Sequence, residues 1–178
     1  MMTRFRFLTI AIAVAVLVPG TAMSQLQDAR PGSQTGGPPP GPEGYQGDIL
    51  DIGFEDIIVL AGQGWHFLNH SVPPGPYTWF QGSTGVFQAH EGPPDSYLAS
   101  NWAAGPTAGV GDCNNWMLTE EIELSDIGCV SFYTRTVEGS SWPDALQLRL
   151  SDNGGSFNVG NGAFEVGDFD ELLIDINP

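Results

Sequence analysis

Residues 132–151, FYTRTVEGSSWPDALQLRLS, consist of two strand-like runs on either side of a turn segment rich in Gly, Ser and Pro. In the second run, three leucines alternate with Gln147 and Arg149. Successive side chains of a strand point to opposite faces of its sheet, so this run predicts one apolar face and one polar face. The first run alternates in the same way. The stretch therefore predicts a hairpin with Arg135 and Arg149 on the outer face of adjacent strands.

These two arginines are expected to balance acidic neighbours. The sequence has five arginines, no lysine and 21 acidic residues, and its formal net charge is −16. Glu121 or Glu123 on a neighbouring strand is the expected partner, and an exposed cross-strand ion pair contributes only about a few tenths of a kcal/mol. The pattern favours a structural role for Arg135 and Arg149, with a binding role as the alternative.

The rest of the chain after about residue 48 also divides into short runs bounded by Gly, Pro or Asn. No segment has a convincing apolar repeat of 3.6 residues over about 11 positions, and 24 glycines and 14 prolines disfavour long helices. Trp116 begins an apolar alternation that Glu120 interrupts, which indicates a kink or a bulge. Regularly spaced strands predict an all-β sandwich or barrel. The predicted strands are 48–56, 64–70, 77–82, 96–102, 114–124, 128–137, 144–151 and 170–176.

Residues 1–24 have the three-part form of a secretory signal peptide. Arg4 and Arg6 precede an apolar run, Pro19 breaks the run, and small residues lie before Gln25. The run is too short for a membrane span. We expect cleavage before Gln25 and export to the medium or the cell surface. An uncleaved N-terminal anchor is the alternative.

The exported chain is expected to have two parts. Residues 25–47 are rich in Pro and Gly and have almost no apolar side chains, as in a disordered linker. Residues 48–178 have the composition of one domain, which at roughly 130 residues is long enough for a single core.

Charge and composition exclude several classes of function. Signal cleavage leaves Arg30, Arg135 and Arg149 as the only cations against 21 acids. A field of that sign repels phosphate backbones and anionic lipid, so we expect neither nucleic acid nor a membrane surface as a partner. The lack of lysine excludes a P-loop lysine and a lysine Schiff base. No HExxH or GxSxG motif is present, so we expect a protein that is not an enzyme.

Cys113 and Cys129 are the two cysteines of the chain. In an exported protein an even number of cysteines favours a disulfide. This one would close a loop of about 15 residues and contribute about 3 kcal/mol. Two unpaired thiols are the alternative.

Two groups of residues are candidates for binding. Acidic residues at 54–56 and 89–96 lie near strand ends, where carboxylate and carbonyl oxygens suit calcium; solvated loop acids are the alternative. Trp142, beside Pro143 in a polar turn, is the candidate ring for stacking on a sugar or a protein partner, and Tyr77 and Trp79 are further candidates. The alternative for Trp142 is that it packs against its own domain.

The order of these motifs resembles the choice-of-anchor J domain. That family belongs with the cleaved-adhesin domains of bacterial surface proteins and is more distantly similar to MAM domains. The blocks AHEGPPDSYLASN (89–101) and SSWPDALQLRLS (140–151) are more specific than GFED (53–56). The resemblance covers the chain from about residue 51 to its C-terminus.

The resemblance implies a jelly-roll β-sandwich of short antiparallel strands and an extracellular or surface-attached role. It also implies calcium near the first strand. By position, Glu55 and Asp56 match the early acidic pair of the family, and Glu91 and Asp95 lie in the block that approaches it. Such domains usually continue past LLIDINP (172–178) with further strands, so we expect the domain to be incomplete at its C-terminus.

Together these features predict a secreted or surface-associated adhesion or binding module, non-catalytic and stabilised by calcium. Its expected ligand is an extracellular protein or a glycan. The alternatives are a carbohydrate-binding module, an accessory domain of a secreted hydrolase, and a purely structural surface protein.

Overall fold

The computed structural model describes residues 6–15, 50–105, 111–124, 130–136 and 145–176. These residues contain many strands and almost no helix, which is compatible with the predicted all-β class. The predicted linker, 25–47, lies outside them. The elements are β1 (Arg6–Ala15), α1 (Ile57–Gly62), β2 (His66–Asn69), β3 (Phe80–Gln81), β4 (Leu98–Ala99), a 3-10 helix (Trp102–Ala104), β5 (Asn115–Leu118), β6 (Ile122–Leu124), β7 (Ala145–Ser151) and β8 (Glu171–Ile176).

Most of the strands form one antiparallel sheet. Its order is β2-β5-β1-β7-β8, and β6 pairs with the first part of β1. β3 and β4 form a separate two-stranded sheet. Since β5 and β7 both run antiparallel to β1, they are parallel to each other with one strand between them. That middle strand lies within the predicted signal peptide, whose removal on export stays a prediction.

A bulge separates β5 from β6. Opposite β1, Leu118 pairs with Ala11, whereas Ile122 pairs with Leu8. The run from 118 to 122 is therefore one residue longer than the run it faces, which defines a β-bulge. The interruption predicted at Glu120 is confirmed.

The main sheet buries side chains on both faces along β5. Trp116 and Leu118 pack with Phe169, which comes from the connection between β7 and β8. Met117, on the opposite face of the strand, packs with Leu60 and Trp65. All four residues of β5 are buried, so β5 lies inside the domain.

The predicted strand at 48–56 is wrong in the part that the structure describes. Residues 50–56 are irregular and lead into α1, which the sequence did not predict. Asp56 is the N-cap of this helix, and its carboxylate accepts hydrogen bonds from the backbone N–H groups of Ile58 and Val59. α1 has only six residues, and no helix among the described residues is long and apolar enough to cross a membrane.

The predicted hairpin in 132–151 is also wrong. β7 has β1 on one edge and β8 on the other, so no edge remains for a pairing with residues 130–136. Those residues are irregular. The alternation in β7 is nevertheless correct, since Leu146 and Leu148 are buried.

Replacement of Leu148 by alanine is expected to destabilise the protein far more than the same change at Leu173. Leu148 is 2% exposed in the core, whereas Leu173 is 42% exposed on β8. Truncation of a buried leucine to alanine lowers the free energy of unfolding by about 2–5 kcal/mol, because it leaves a cavity. Urea unfolding of the full chain measures both changes. Equal losses in Leu148→Ala and Leu173→Ala would contradict the assigned core.

Candidate functional site

A compact surface loop, residues 83–97, is closed by the side chain of Tyr97. The Tyr97 hydroxyl accepts a hydrogen bond from the N–H of Ser83 at 2.8 Å and donates one to the carbonyl of Ser83 at 2.7 Å. The ring of Phe87 stacks on the ring of Tyr97, with centroids 4.7 Å apart. The loop is therefore held by its own side chains.

Residues 130–136 cross this loop and complete a layered surface. The ring of Tyr133 stacks on His90, with centroids 3.5 Å apart and planes at 26°. The guanidinium carbon of Arg135 lies 4.5 Å from the centroid of Phe87, within the range of a cation–π contact. We call Phe87, His90, Tyr97, Tyr133 and Arg135 the aromatic surface.

An apolar hollow of about 300 Å³ adjoins the aromatic surface. Its volume is at the lower end of the range for ligand pockets. Tyr133 belongs to both the hollow and the aromatic surface. It is 55% exposed, although His90 covers one side of its ring. The hollow is lined by Val130, Ser131, Phe132, Tyr133, Thr134, Ile174 and Ile176.

The two arginines of the opening stretch differ in their contacts. Arg149 donates a hydrogen bond to the side-chain oxygen of Gln147 at 2.8 Å and another to the carbonyl of Phe169 at 3.1 Å, which is the structural role that the sequence favoured. For Arg135, no carboxylate of the described residues lies within 4.0 Å. The expected pairing of Arg135 with Glu121 is wrong, because the arginine lies over Phe87 instead.

The predicted calcium ligands Glu55 and Asp56 follow an unusual backbone turn. Phe54 has a φ of 57°, in the left-handed region that non-glycine residues rarely adopt. The Glu55 carboxylate folds back over Gly53, where any Cβ would collide with it. Asp56 caps α1, so its carboxylate has a structural function that the sequence analysis did not assign.

A glutamine side chain joins this turn to the loop that carries Asp95. The Gln81 amide nitrogen donates to the carbonyls of Phe54 at 2.8 Å and Asp95 at 2.7 Å, and the carbonyl of Tyr97 lies 3.5 Å away. The Gln81 amide oxygen accepts a hydrogen bond from the N–H of Ile57 at 3.0 Å. Gln81 thus holds three chain segments together.

The structure brings only part of the predicted calcium set together. The backbone of Asp95 lies beside Phe54 through Gln81, and the side chains of Glu55 and Asp95 are exposed. Glu91 lies at the aromatic surface, with its carboxylate 3.7 Å from the His90 ring nitrogen. Across the described ranges, no three His, Cys, Asp or Glu side chains form a group that could hold a metal ion. Oxygen donors suited to calcium are nevertheless present at this end of the domain.

The other predicted site residues are scattered. Tyr77 is 57% exposed, whereas Trp79 is half-buried and packs against the core. Trp142 and Cys129 lie outside the described residues, so the role of Trp142 and the Cys113–Cys129 disulfide stay predictions.

A second loop, between β7 and β8, is organised around one carboxylate. Asp168 accepts hydrogen bonds from the side chains of Asn153 at 2.7 Å, Ser156 at 2.6 Å and Asn158 at 2.9 Å. The hydrogen bonds of Ser156, then Asn153 and Asn158, stabilise the charged form and lower the pKa of Asp168 below its usual value. These contacts fix the shape of the loop.

Comparisons with known proteins add no relative. No protein-family model, no curated protein and no solved structure matches the chain. The choice of the aromatic surface as a candidate site therefore rests only on the geometry of its residues. The spacing of two residues predicted Tyr133 and Arg135 on one side of their segment, but no local pattern in the sequence predicted Phe87, His90 and Tyr97 as their neighbours.

Removal of the Gln81 amide is expected to destabilise the domain. Gln81→Leu keeps much of the side chain's bulk but leaves the carbonyls of Phe54 and Asp95 without their donor. The loss of one such hydrogen bond lowers the free energy of unfolding by about 0.5–1.5 kcal/mol. Thermal or urea unfolding measures the loss. Gln88→Leu, at an exposed position of the loop 83–97, is the matched control, and equal stability of the two variants would contradict the role of Gln81.

Proposed function

We propose that this chain is a non-catalytic binding module that acts outside the cell, as a secreted or surface-associated protein. We further propose that its fold is a jelly-roll β-sandwich related to the choice-of-anchor J and cleaved-adhesin domains. The antiparallel sheet, buried on both faces along β5, supports a sandwich. The form of residues 1–24 supports export, and the lack of a catalytic motif in the sequence supports a binding role.

The observation that carries a binding role is the aromatic surface. Tyr133 is more than half exposed, and stacking on His90 fixes the orientation of its ring. A ligand that stacks on this ring therefore restricts few side-chain torsions that were free before binding, and the entropy cost of binding is small. Arg135 lies over Phe87 and supplies several N–H donors from one planar group. An exposed ring and a group of hydrogen-bond donors, two residues apart on one segment, suit the apolar face and the hydroxyls of a sugar.

The charge of the chain restricts the class of glycan. A protein with a formal charge of −16 repels polyanions at long range. A neutral glycan is therefore the preferred ligand, and an extracellular protein is the second candidate. In either case the ligand contacts Tyr133 and Arg135.

Tyr133→Ala and Arg135→Ala are expected to weaken glycan binding about tenfold or more, since a stacking or charge-assisted contact of about 1.4 kcal/mol corresponds to a factor of ten. A glycan array identifies the ligand and calorimetry measures the affinity. Phe164→Ala is the control, because Phe164 is an exposed ring outside the aromatic surface. The glycan proposal fails if Phe164→Ala and Tyr133→Ala bind alike or if no glycan binds.

Calcium is proposed as a stabilising ion at the end of the domain formed by Glu55, Asp56 and Asp95, with Glu91 as a further candidate ligand. The support is the convergence of two segments that carry acidic side chains, held together by Gln81. The carboxylates of Glu55 and Asp95 are exposed and are oxygen donors of the kind that calcium prefers. The family resemblance gives the same location.

Calcium is expected to raise the melting temperature of the full chain relative to a chelator. A ligand at about 100 times its Kd stabilises the folded state by about 2.7 kcal/mol. Asp56→Ser is the informative variant, because serine still caps α1 but lacks a carboxylate. We expect Asp56→Ser to melt like the wild type in chelator and to lose the rise in calcium. A wild-type melt that is indifferent to calcium would exclude the ion and leave the fold unaffected.

A further inference from the structure

The centre of the main sheet contains a strand that the proposed export would remove. β1 pairs with β7 from Thr9 to Ala15 and with β5 from Ala11 to Val14. Residues 6–8 of β1 pair with β6. The whole strand lies inside residues 1–24, the predicted signal peptide. Export as proposed above therefore opens a gap between β5/β6 on one side and β7 on the other.

Closure of this gap by pairing of its two edges would require a rearrangement of the sheet. Neighbouring strands lie about 4.8 Å apart, so β5 and β7 are separated by about 9.6 Å and would have to move together by a full strand spacing. Their outer edges are already occupied, by β2 and β8. β5 is also fixed in place by the buried side chains of Trp116 and Leu118.

An empty gap is also unfavourable. The backbone N–H and C=O groups of β5 and β7 that now bond to β1 would lose their partners. Asn115 and Ser151, at 0% exposure with β1 in place, would be opened to solvent by its removal. Two unpaired strand edges are a template for pairing with another chain.

We propose that in the exported protein this gap is an acceptor site for a β-strand donated by a different polypeptide. The interaction is strand addition with hydrogen bonds on both edges of the donated segment. The inference rests on the proposed export but not on the glycan site, which uses other residues.

The geometry defines the chemistry of the donor. β1 has ten residues, runs antiparallel to both neighbours and contains no proline and no acidic residue. The donor is therefore an extended segment of similar length, mostly apolar and free of acids and of internal proline. The surrounding chain has 21 acidic residues, which disfavours an acidic donor further.

Other parts of this sequence fit the gap poorly. The linker, 25–47, contains a run of three prolines, which lack the N–H group that a central strand needs. β8 of a second copy carries Glu171 and Asp175, and β8 already pairs with β7. A donor of different sequence is the better match.

The test uses the full chain, produced without export and carrying a specific protease site inserted between Ser24 and Gln25. Cleavage after folding yields a two-piece protein. A labelled peptide of residues 6–15 with a solubilising tag is expected to exchange into it with a stoichiometry of one to one. Size-exclusion chromatography and fluorescence anisotropy measure the exchange.

Two peptides with one proline each provide the comparison. Ile12→Pro removes a ladder hydrogen bond in the middle of the strand and is expected to abolish exchange, whereas Arg6→Pro changes the first strand position, where proline is tolerated. Exchange of the Ile12→Pro peptide as well as the Arg6→Pro peptide would overturn the acceptor site. Failure of both the wild-type peptide and the Arg6→Pro peptide to exchange would also overturn it. Dimerisation of the cleaved protein in place of peptide uptake would also overturn it, because the occupant would be a second copy.

Intact-mass measurement of the exported protein separates the two proposals. Loss of residues 1–24 is the expected result. Retention of residues 6–15 would make β1 a permanent strand and overturn the acceptor site, while glycan binding by Tyr133 and Arg135 would be tested independently.

Discussion

The fold depends on one arrangement of backbone hydrogen bonds: β5 and β7 do not bond to each other but share the strand between them. β7 brings the alternating leucines of its sequence, and β5 brings Trp116 and Leu118. Leu146 and Leu148 of β7 and both residues of β5 are buried. The connection between β7 and β8 then returns Phe169 onto Trp116, with ring centroids 5.7 Å apart. Whatever occupies the central position determines whether β5 and β7 belong to one sheet.

Neutral side chains make many of the stabilising contacts that ion pairs make in other proteins. Five arginines and no lysine cannot pair with 21 acids, and in the part of the chain that the structure describes only His90 and Glu91 lie within ion-pair distance. Side-chain amides join separate segments of the chain instead. The Asn69 amide donates to the carbonyls of Gly75, Tyr77 and Ala104, as Gln81 does for its own set, and Asp168 is held by neutral donors.

Such contacts are less sensitive to salt than pairs of exposed charges, because they do not depend on a net charge at both ends. They also leave most carboxylates facing solvent. The acidity of the surface is thus compatible with a stable fold, and it repels anionic partners. Arg135 gains importance in this setting, since its guanidinium is held on Phe87 with no described carboxylate to neutralise it.

The sequence predicted what depends on local pattern and missed what depends on distant contacts. Alternation identified β7, and the interruption at Glu120 identified the bulge, because both follow from the two-residue period of a strand. Alternation does not say which strand lies on each edge, so the hairpin prediction was wrong. α1 was missed because six residues are too few for a helical period, and its start depends on the Asp56 side chain.

In the candidate site, too, the sequence predicted what depends on local spacing and missed what depends on distant contacts. Tyr133 and Arg135 were placed on one side of their segment by their spacing of two. Their partners, Phe87 and His90, lie more than 40 residues earlier in the chain, and no local pattern connects them. The predicted acids illustrate the converse: their spacing suggested one cluster, but Glu91 lies with His90 while Asp95 is joined by its backbone to Phe54.

The N-terminal segment fits the central position for a general reason. Secretion requires an uncharged apolar run, and a central strand requires backbone donors and acceptors with apolar side chains and no proline. Residues 7–15, FLTIAIAVA, have no charge and no proline and are mostly apolar, so they suit both the proposed export and the central strand. A site that such a segment can fill selects its occupant mainly through the backbone and through apolarity, so it discriminates weakly among apolar strands. Under the proposed function, selectivity for a ligand therefore comes from contacts that depend on side-chain identity, and the ring of Tyr133 on His90 and the guanidinium of Arg135 over Phe87 offer contacts of that kind.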